Sequence, residues 1–176
     1  MIDKALFSCN RTDWETPKEL YRELNEEFHF TLDPASTDKN ALCAKHFTKQ
    51  EDGLAQSWKN ETVFCNPPYG RETGKWIKKS YEEAQSNGAT VVMLIPARTD
   101  TKAFHDYIYG YAEIRFLRGR LHFCLDGVTS SGAPFPSMLV IYRPAVMCDY
   151  EQDAQTKDLY PLQINHTSHN DKEMER

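Results

Sequence analysis

Apolar positions near the N-terminus recur with the spacing of a helix. Residues 17–28 carry apolar side chains three or four positions apart, at Leu20, Tyr21, Leu24 and Phe28. This periodicity predicts an amphipathic helix. Thr16 is the expected N-cap, Pro17 suits the first helical position, and Glu19 would complete a capping box.

The later apolar runs alternate between strand and helix patterns. The predicted strands are residues 30–33, 62–65, 90–95, 113–117, 121–125 and 136–142. The predicted helices are a short one near 40–45, one that contains Trp76 to Ala84 and ends at Gly88, and one that follows an N-cap at Asp100 and ends before Gly110.

The order of these elements predicts an α/β fold. Strand, helix, strand, helix and strand follow one another over residues 62–117, which indicates parallel strands joined by crossover helices. The last two strands have no helix between them, so they are expected to add an antiparallel pair at the end of the sheet. Only 32 residues lie between Asp33 and Asn66, which is too short for two more strand–helix units and indicates an abridged sheet.

Composition limits the cellular context and the domain count. A chain of 176 residues is long enough for one domain, predicted at residues 1–148, with a polar and loosely ordered tail at 149–176. The N-terminus has no basic stretch followed by an apolar run, and the longest apolar run, Val91 to Ile95, is too short to cross a bilayer. We therefore expect a cytoplasmic protein with no membrane partner and with reduced cysteines.

The most informative stretch is Asn66-Pro67-Pro68-Tyr69, directly after a predicted strand. Prolines cannot continue a strand, so the chain leaves the sheet with rigid carbonyls; by itself this is also the pattern of a stiff turn. The side-chain oxygen of Asn66 and the carbonyl of Pro67 can each accept one N–H of a conjugated amine. They would aim its lone pair at a methyl donor and stabilise the developing positive charge. Tyr69 would stack on a flipped nucleobase.

An Asn-Pro-Pro-Tyr tetrapeptide after a strand is the catalytic motif of amino-methyltransferases. Over most of Trp14 to Tyr142 the chain resembles the phage-type, Dam-like DNA N6-adenine methyltransferases. The resemblance implies an abridged Rossmann-like S-adenosylmethionine-dependent methyltransferase sheet with a terminal antiparallel strand pair. It also implies a phage or prophage enzyme with DNA as its partner, S-adenosylmethionine as methyl donor, no metal, and action in the cytoplasm of a host. The implied catalytic residues are Asn66, Pro67, Pro68 and Tyr69.

The same resemblance implies a site for the methyl donor. Trp14-Glu15-Thr16-Pro17 resembles an N-terminal element in which a helix start holds the methionine carboxylate, as helix N-termini suit anions. Residues 30–37 resemble the first-strand motif, although they lack its usual glycines, and Asp52 matches the position that accepts from the donor's adenine amine. The implied donor-binding residues are Trp14, Thr16, Pro17, Asp33, Pro34, Ala35 and Asp52. Cap, strand end and turn remain the alternative roles of Thr16, Asp33 and Asp52.

Positive charge is concentrated despite a net charge of −5. One group comprises Arg71, Lys75, Lys78 and Lys79, and another comprises Arg115, Arg118 and Arg120. Such groups either grip phosphates or form a solvated face. Arg98, just past a strand end, resembles a family position near the DNA. The predicted DNA-binding residues are Arg71, Lys75, Arg98 and Arg118.

Other functions remain open on the sequence. A methyltransferase for another conjugated amine, in RNA adenine or guanine or in a protein glutamine, would use the same tetrapeptide, and a nucleic-acid-binding module without catalysis belongs to a different class. Cys65 stands beside the motif without a proline before it, so a core residue is favoured over a cytosine-C5 nucleophile. No pattern indicates a recognition sequence or an oligomeric state.

Overall fold

The computed structural model describes residues 14–125, 128–129 and 132–144. These residues belong to one compact unit, Met1–Ala145. The predicted tail, 149–176, lies outside the described residues. No described helix is long and apolar enough to cross a bilayer.

A six-stranded sheet forms the centre of this unit. Its strands are β1 (Leu32–Asp33), β2 (Lys45–His46), β3 (Thr62–Cys65), β4 (Thr90–Pro96), β5 (Glu113–Phe116) and β8 (Ser137–Tyr142). They are arranged in the order β2-β1-β3-β4-β8-β5. β1 is parallel to β2 and β3, and β3 is parallel to β4, whereas β8 is antiparallel to both β4 and β5. The mixed α/β sheet predicted from the sequence is therefore confirmed.

The antiparallel pair at the end of the sheet differs from the expected one. It consists of β5 and β8, with β8 inserted between β4 and β5. The predicted strand at 121–125 is not part of this sheet. Only β6 (Cys124–Leu125) is extended there, and it pairs with β7 (Val128–Thr129) in a separate two-stranded sheet.

Two helices pack on opposite faces of the sheet. α1 (Lys18–Phe28) buries Leu24 on one face, and α2 (Thr73–Asn87) buries Trp76, Ile77 and Ala84 on the other. Side chains of β4 alternate between the two hydrophobic clusters, as the pleat of a strand requires: Val91, Met93 and Ile95 lie on the α2 side, and Val92 and Leu94 on the α1 side. The sheet thus has a hydrophobic cluster on each face, and both faces of β4 are buried.

Three local predictions are wrong. Residues 40–45 form turns and the start of β2 rather than a helix, because the backbone N–H of Leu42 donates to the carboxylate of Asp33. Asp100 does not cap the next helical turn; the Thr101 hydroxyl accepts from the N–H of Phe104 at 3.3 Å, and Phe104–Ile108 is π-helical. Thr16 makes no capping hydrogen bond to α1.

Candidate active site

One edge of the sheet collects the predicted catalytic and binding residues. The carboxyl ends of β1, β3 and β4 lead into Pro34, Asn66 and Ala97 respectively. Because β8 is antiparallel, its start lies at the same edge, where Ser137 pairs with Pro96. Ligands of open α/β sheets bind beyond the carboxyl ends of the strands, so a ligand site is expected at this edge.

The side-chain amide of Asn66 is held by two hydrogen bonds. Its Nδ2 donates to the backbone oxygen of Trp14 at 2.6 Å and to Oγ1 of Thr16 at 3.0 Å. Its Oδ1 is buried and has no hydrogen-bond partner among the described residues. An unpartnered buried acceptor is unfavourable in a folded protein, so the site supplies an acceptor that a ligand can satisfy.

Residues that follow β1 and β3 line a cleft of about 610 Å³, called here the β1–β3 cleft. This volume is typical of sites for small ligands. The cleft brings together six of the seven residues that the resemblance assigns to the donor, together with Asn66; the six are Trp14, Thr16, Asp33, Pro34, Ala35 and Asp52. Pro17 does not line it.

The two acidic residues of this cleft differ in their environments. Asp33 is 4% exposed, and its carboxylate accepts from the backbone N–H groups of Leu42 at 3.1 Å and Ala35 at 3.3 Å. Burial raises the pKa of the Asp33 carboxyl, although these hydrogen bonds act in the opposite direction. Asp52 is exposed, with φ of 52°; its Oδ1 accepts from the N–H of Leu54, and its Oδ2 has no hydrogen bond within the described part of the chain. Asp33 therefore shapes the loop, whereas Asp52 offers a free oxygen to the cleft.

Gly53 brings the two loops of this cleft into contact. A Cβ at Gly53 would lie 2.0 Å from the carbonyl oxygen of Pro34, a distance that no side chain tolerates. The carbonyl of Gly53 accepts from the indole N–H of the buried Trp58 at 3.0 Å. The loop after β1 contains no glycine, and here the close backbone approach is made possible by a glycine from another loop.

A second cleft of about 680 Å³ lies beside the first and is called here the β3–β4 cleft. Tyr69 lines it with 8% of its surface exposed, and its hydroxyl donates to the carbonyl of Leu94 at 3.2 Å. Its ring meets Phe135 edge-on at 5.4 Å and Phe123 at 6.1 Å. Trp14 lines both clefts. The walls are mostly apolar and aromatic, which suits a planar ring.

The four predicted DNA-binding cations differ in their surroundings. Arg71 and Arg98 are exposed, line the β3–β4 cleft and make no ion pair within the described part of the chain. Lys75 is paired with Glu72 at 2.6 Å. Arg118 is exposed and lies two residues beyond β5, at the same edge of the sheet, but it lines neither cleft.

Two neighbours of the predicted cations are also paired. Lys78 contacts Glu82 at 3.4 Å, and Lys79 contacts the buried Glu83 at 2.6 Å. The first turns of α2 therefore carry less free positive charge than the sequence suggests.

Two residues that the sequence did not single out also line the clefts: Phe135 lines the β3–β4 cleft and Glu72 the β1–β3 cleft. Phe135 stands between Pro134 and Pro136, and an aromatic residue fixed between two prolines in a glycine-containing loop was a usable signal. Glu72 had no such signal, since a glutamate at a helix start is common.

Nucleophilic attack by Cys65 and metal binding are two further kinds of chemistry that bear on this site. Cys65 is fully buried, and burial raises the pKa of its thiol well above the usual value, so the thiolate needed for nucleophilic attack is disfavoured. Within residues 14–125, 128–129 and 132–144, no three His, Cys, Asp or Glu side chains come together as metal ligands do.

Comparison with known proteins shows which family the sequence resembles. The family described as DNA N-6-adenine-methyltransferase (Dam) matches residues 5–172. A DNA N-6-adenine-methyltransferase of Escherichia phage T1 is 32% identical over 116 residues, which are 65% of this chain and 48% of that protein. The putative methyltransferase YfdM of Escherichia coli K12 is 33% identical over 63 residues, or 32% of this chain and 69% of that protein.

The alignment thus spans about half the length of the phage T1 protein. The family match is much broader, since it covers both clefts, the tetrapeptide 66–69 and most of the chain beyond residue 148. The chain belongs to the DNA N-6-adenine-methyltransferase (Dam) family.

Proposed function

We propose that this protein transfers a methyl group from S-adenosylmethionine to N6 of adenine in DNA. The observation that carries the proposal is the amide of Asn66, a residue of the β1–β3 cleft, whose two N–H groups are occupied and whose buried Oδ1 has no partner among the described residues. An exocyclic amine is a hydrogen-bond donor that matches this acceptor. Membership of the Dam family supports adenine as the source of the amine.

The β1–β3 cleft fits the methyl donor. Its volume suits a nucleoside-sized ligand, and the free carboxylate oxygen of Asp52 suits an amine of the donor's adenine. Thr16 and Asp33 also line this cleft, and the methionine end of the donor would lie near them according to the family pattern. S-adenosylmethionine supplies a methyl group on a positively charged sulfur, which leaves as a neutral thioether.

The residues of the chain position the amine and accept hydrogen bonds from its two N–H groups. Oδ1 of Asn66 and the carbonyl of Pro67 each hold one N–H of the target, so the nitrogen becomes pyramidal and its lone pair points toward the donor. The same two oxygens stabilise the positive charge that develops on nitrogen during transfer. Once methylated, the nitrogen is acidic enough to lose its extra proton to water, which agrees with a neutral side chain at position 66.

The β3–β4 cleft is the proposed place of the flipped base. Tyr69 and Phe135 provide aromatic surface, and stacking on such rings stabilises unstacked bases. Arg71 and Arg98 at this cleft would contact the flanking phosphates, and Arg118 would extend the contact along the sheet edge. The phage T1 relative supports a phage origin and action on DNA in a bacterial cytoplasm.

The proposal is tested by titrating the protein with S-adenosylmethionine in a calorimeter and then measuring labelled-methyl transfer to DNA, RNA and protein in parallel. We expect donor binding, and transfer to DNA with N6-methyladenine as the product. Label in RNA or glutamine instead would establish one of the alternative substrates. Failure to bind the donor would leave a nucleic-acid-binding module without catalysis.

The variant Asn66→Ala tests the catalytic role of the amide. It should lower the transfer rate by roughly a hundredfold or more, the typical effect of removing one preorganised acceptor. Donor affinity should stay close to that of the unaltered protein. Near-normal turnover by Asn66→Ala would contradict the mechanism.

A further inference from the structure

The orientation of the Asn66 amide is decided by its neighbours. The backbone oxygen of Trp14, 2.6 Å from Nδ2, is an acceptor only, so the amide must turn an N–H toward it. The second N–H then points at Oγ1 of Thr16, 3.0 Å away. With both protons committed, Oδ1 is left as a buried acceptor without a partner among the described residues, on a side chain that lines the β1–β3 cleft.

Thr16 owes its place to tertiary contacts rather than to the helix that it precedes. It is 7% exposed and stands just before Pro17, which occupies the N-cap position of α1 without a side-chain capping hydrogen bond. The hydroxyl that would have capped α1 is instead directed to a residue 50 positions away in the sequence. A buried hydroxyl with this partner is a specific constraint on the amide.

We infer that Thr16 is a positioning residue for catalysis: its hydroxyl fixes the rotation of the Asn66 amide and so presents Oδ1 to the target amine. This inference rests on the proposed function. Donation of the second N–H also polarises the amide and makes Oδ1 a stronger acceptor. Because Thr16 also lines the β1–β3 cleft, the segment that faces the methyl donor also orients the catalytic oxygen.

The test is a double-mutant cycle on the full chain. With donor and DNA both saturating, Thr16→Val should lower kcat by about five- to tenfold, the effect of one net hydrogen bond, while Thr16→Ser should restore most of it. In an Asn66→Ala background the same Thr16→Val change should alter kcat by less than about twofold, because its effect passes through the amide. An equal loss in both backgrounds, or a Ser variant as slow as the Val variant, would overturn the inference.

Thr31→Val is the matched control. Thr31 also has a hydrogen-bonded hydroxyl, which accepts from the N–H of Thr62 at 3.0 Å, but it precedes β1 at the opposite edge of the sheet. This variant should leave kcat and donor affinity unchanged. A loss of kcat as large as that of Thr16→Val would assign the effect to general destabilisation and overturn the positioning role.

A second measurement does not depend on activity. The Nδ2 proton resonances of Asn66, identified by their absence from the spectrum of Asn66→Ala, should include one that moves upfield in Thr16→Val and stays in place in Thr16→Ser. No movement in Thr16→Val would contradict the hydrogen bond itself. If the unaltered protein methylates none of the three substrates, the proposed function fails, and this spectrum still decides whether Thr16 holds the amide.

Discussion

Two hydrogen bonds on one side chain explain why asparagine suits position 66 better than aspartate. Nδ2 lies 2.6 Å from the backbone oxygen of Trp14, so a carboxylate there would set two acceptors against each other. The burial of Oδ1 adds a desolvation cost for a charge. The surroundings are therefore fitted to a neutral amide.

Asn66→Asp is the variant that tests this argument. At neutral pH we expect a rate at least about tenfold below that of the unaltered protein, since each unpaired buried polar group costs about 1–3 kcal/mol. Burial and the facing carbonyl raise the pKa of the introduced carboxyl, and its protonated form can donate to Trp14. The rate of this variant should accordingly rise as the pH falls, as measured by single-turnover kinetics. A rate that is normal at neutral pH, or that rises with pH, would show that the amide is not required.

Two substitutions of Tyr69 distinguish the role of its aromatic ring from that of its hydroxyl. The hydroxyl is buried against the carbonyl of Leu94, and burial raises the pKa of the phenol, so it stays protonated. Tyr69→Phe should lower the free energy of unfolding by about 1 kcal/mol with little effect on methyl transfer. Tyr69→Ala should weaken the binding of a flipped base by roughly 1–3 kcal/mol. Chemical denaturation measures the change in stability. Binding to a duplex that carries an abasic site opposite the target adenine measures the change in affinity for a flipped base.

The outcome for a larger ring follows from the packing. Tyr69 already contacts Phe123 and Phe135 edge-on, so Tyr69→Trp has less room than stacking alone would suggest. A phenylalanine variant as inactive as the alanine variant would mean that the hydroxyl, rather than the ring, serves the reaction.

Among the elements, the loop after β1 depends on Gly53. A side chain there would collide with the carbonyl of Pro34, so Gly53→Ala must push apart the two loops that line the β1–β3 cleft. We expect donor affinity to fall by at least about tenfold, because overpacking typically costs 1–3 kcal/mol. Calorimetric titration with S-adenosylmethionine measures it.

Gly74→Ala provides the comparison for Gly53→Ala. A Cβ at Gly74 would meet its nearest neighbour, the Cβ of Ala103, at an ordinary 3.6 Å, and the residue lies within α2. This variant should keep its donor affinity and gain about 0.5–1 kcal/mol of stability from helix propensity. If both alanine variants bind the donor normally, the loops are not held as the structure indicates.

Local patterns predicted the elements whose cause is local. α2 and β4 follow from periodicity, and the tetrapeptide 66–69 stands directly after β3 as expected. The cap predicted at Asp100 fails for a local reason, because the adjacent Thr101 accepts from Phe104 instead. The other errors have causes farther along the chain. β8 pairs with β4 across some 40 residues of chain, the N–H of Leu42 is drawn to Asp33, and the hydroxyl of Thr16 is drawn to Asn66. No spacing within the sequence encodes those contacts.

The sequence likewise predicted only part of the candidate site. The resemblance assigned six residues that the β1–β3 cleft brings together. It did not indicate which oxygen of Asp52 is free, why the loop after β1 needs no glycine of its own, or what orients the amide of Asn66. The contact of Gly53 with Pro34 and that of Thr16 with Asn66 each join different parts of the chain, whereas the bonded oxygen of Asp52 is set by Leu54, two residues away.

At the scale of the whole molecule, the net charge of −5 must be reconciled with the proposed DNA substrate. Seven acidic and three basic residues lie in 149–176, so most of the excess negative charge belongs to the tail. In α2 the ammonium groups of Lys75 and Lys78 already contact carboxylates. The free cations Arg71 and Arg98 face a single cleft, and local charge of this kind governs phosphate binding more than the net charge does.

The final prediction compares two pairs of substitutions that change the net charge equally. Replacing Arg71 and Arg98 together by glutamine should weaken DNA binding and reduce the slope of log affinity against log salt by about two units, roughly 0.9 for each lost phosphate contact. Replacing Lys75 and Lys78 by glutamine removes the same charge from ion-paired positions and should change the slope by less than half as much. Fluorescence anisotropy of a labelled duplex at several salt concentrations gives both slopes. Equal flattening by the two pairs would mean that only net charge matters, and that the β3–β4 cleft does not hold the phosphates.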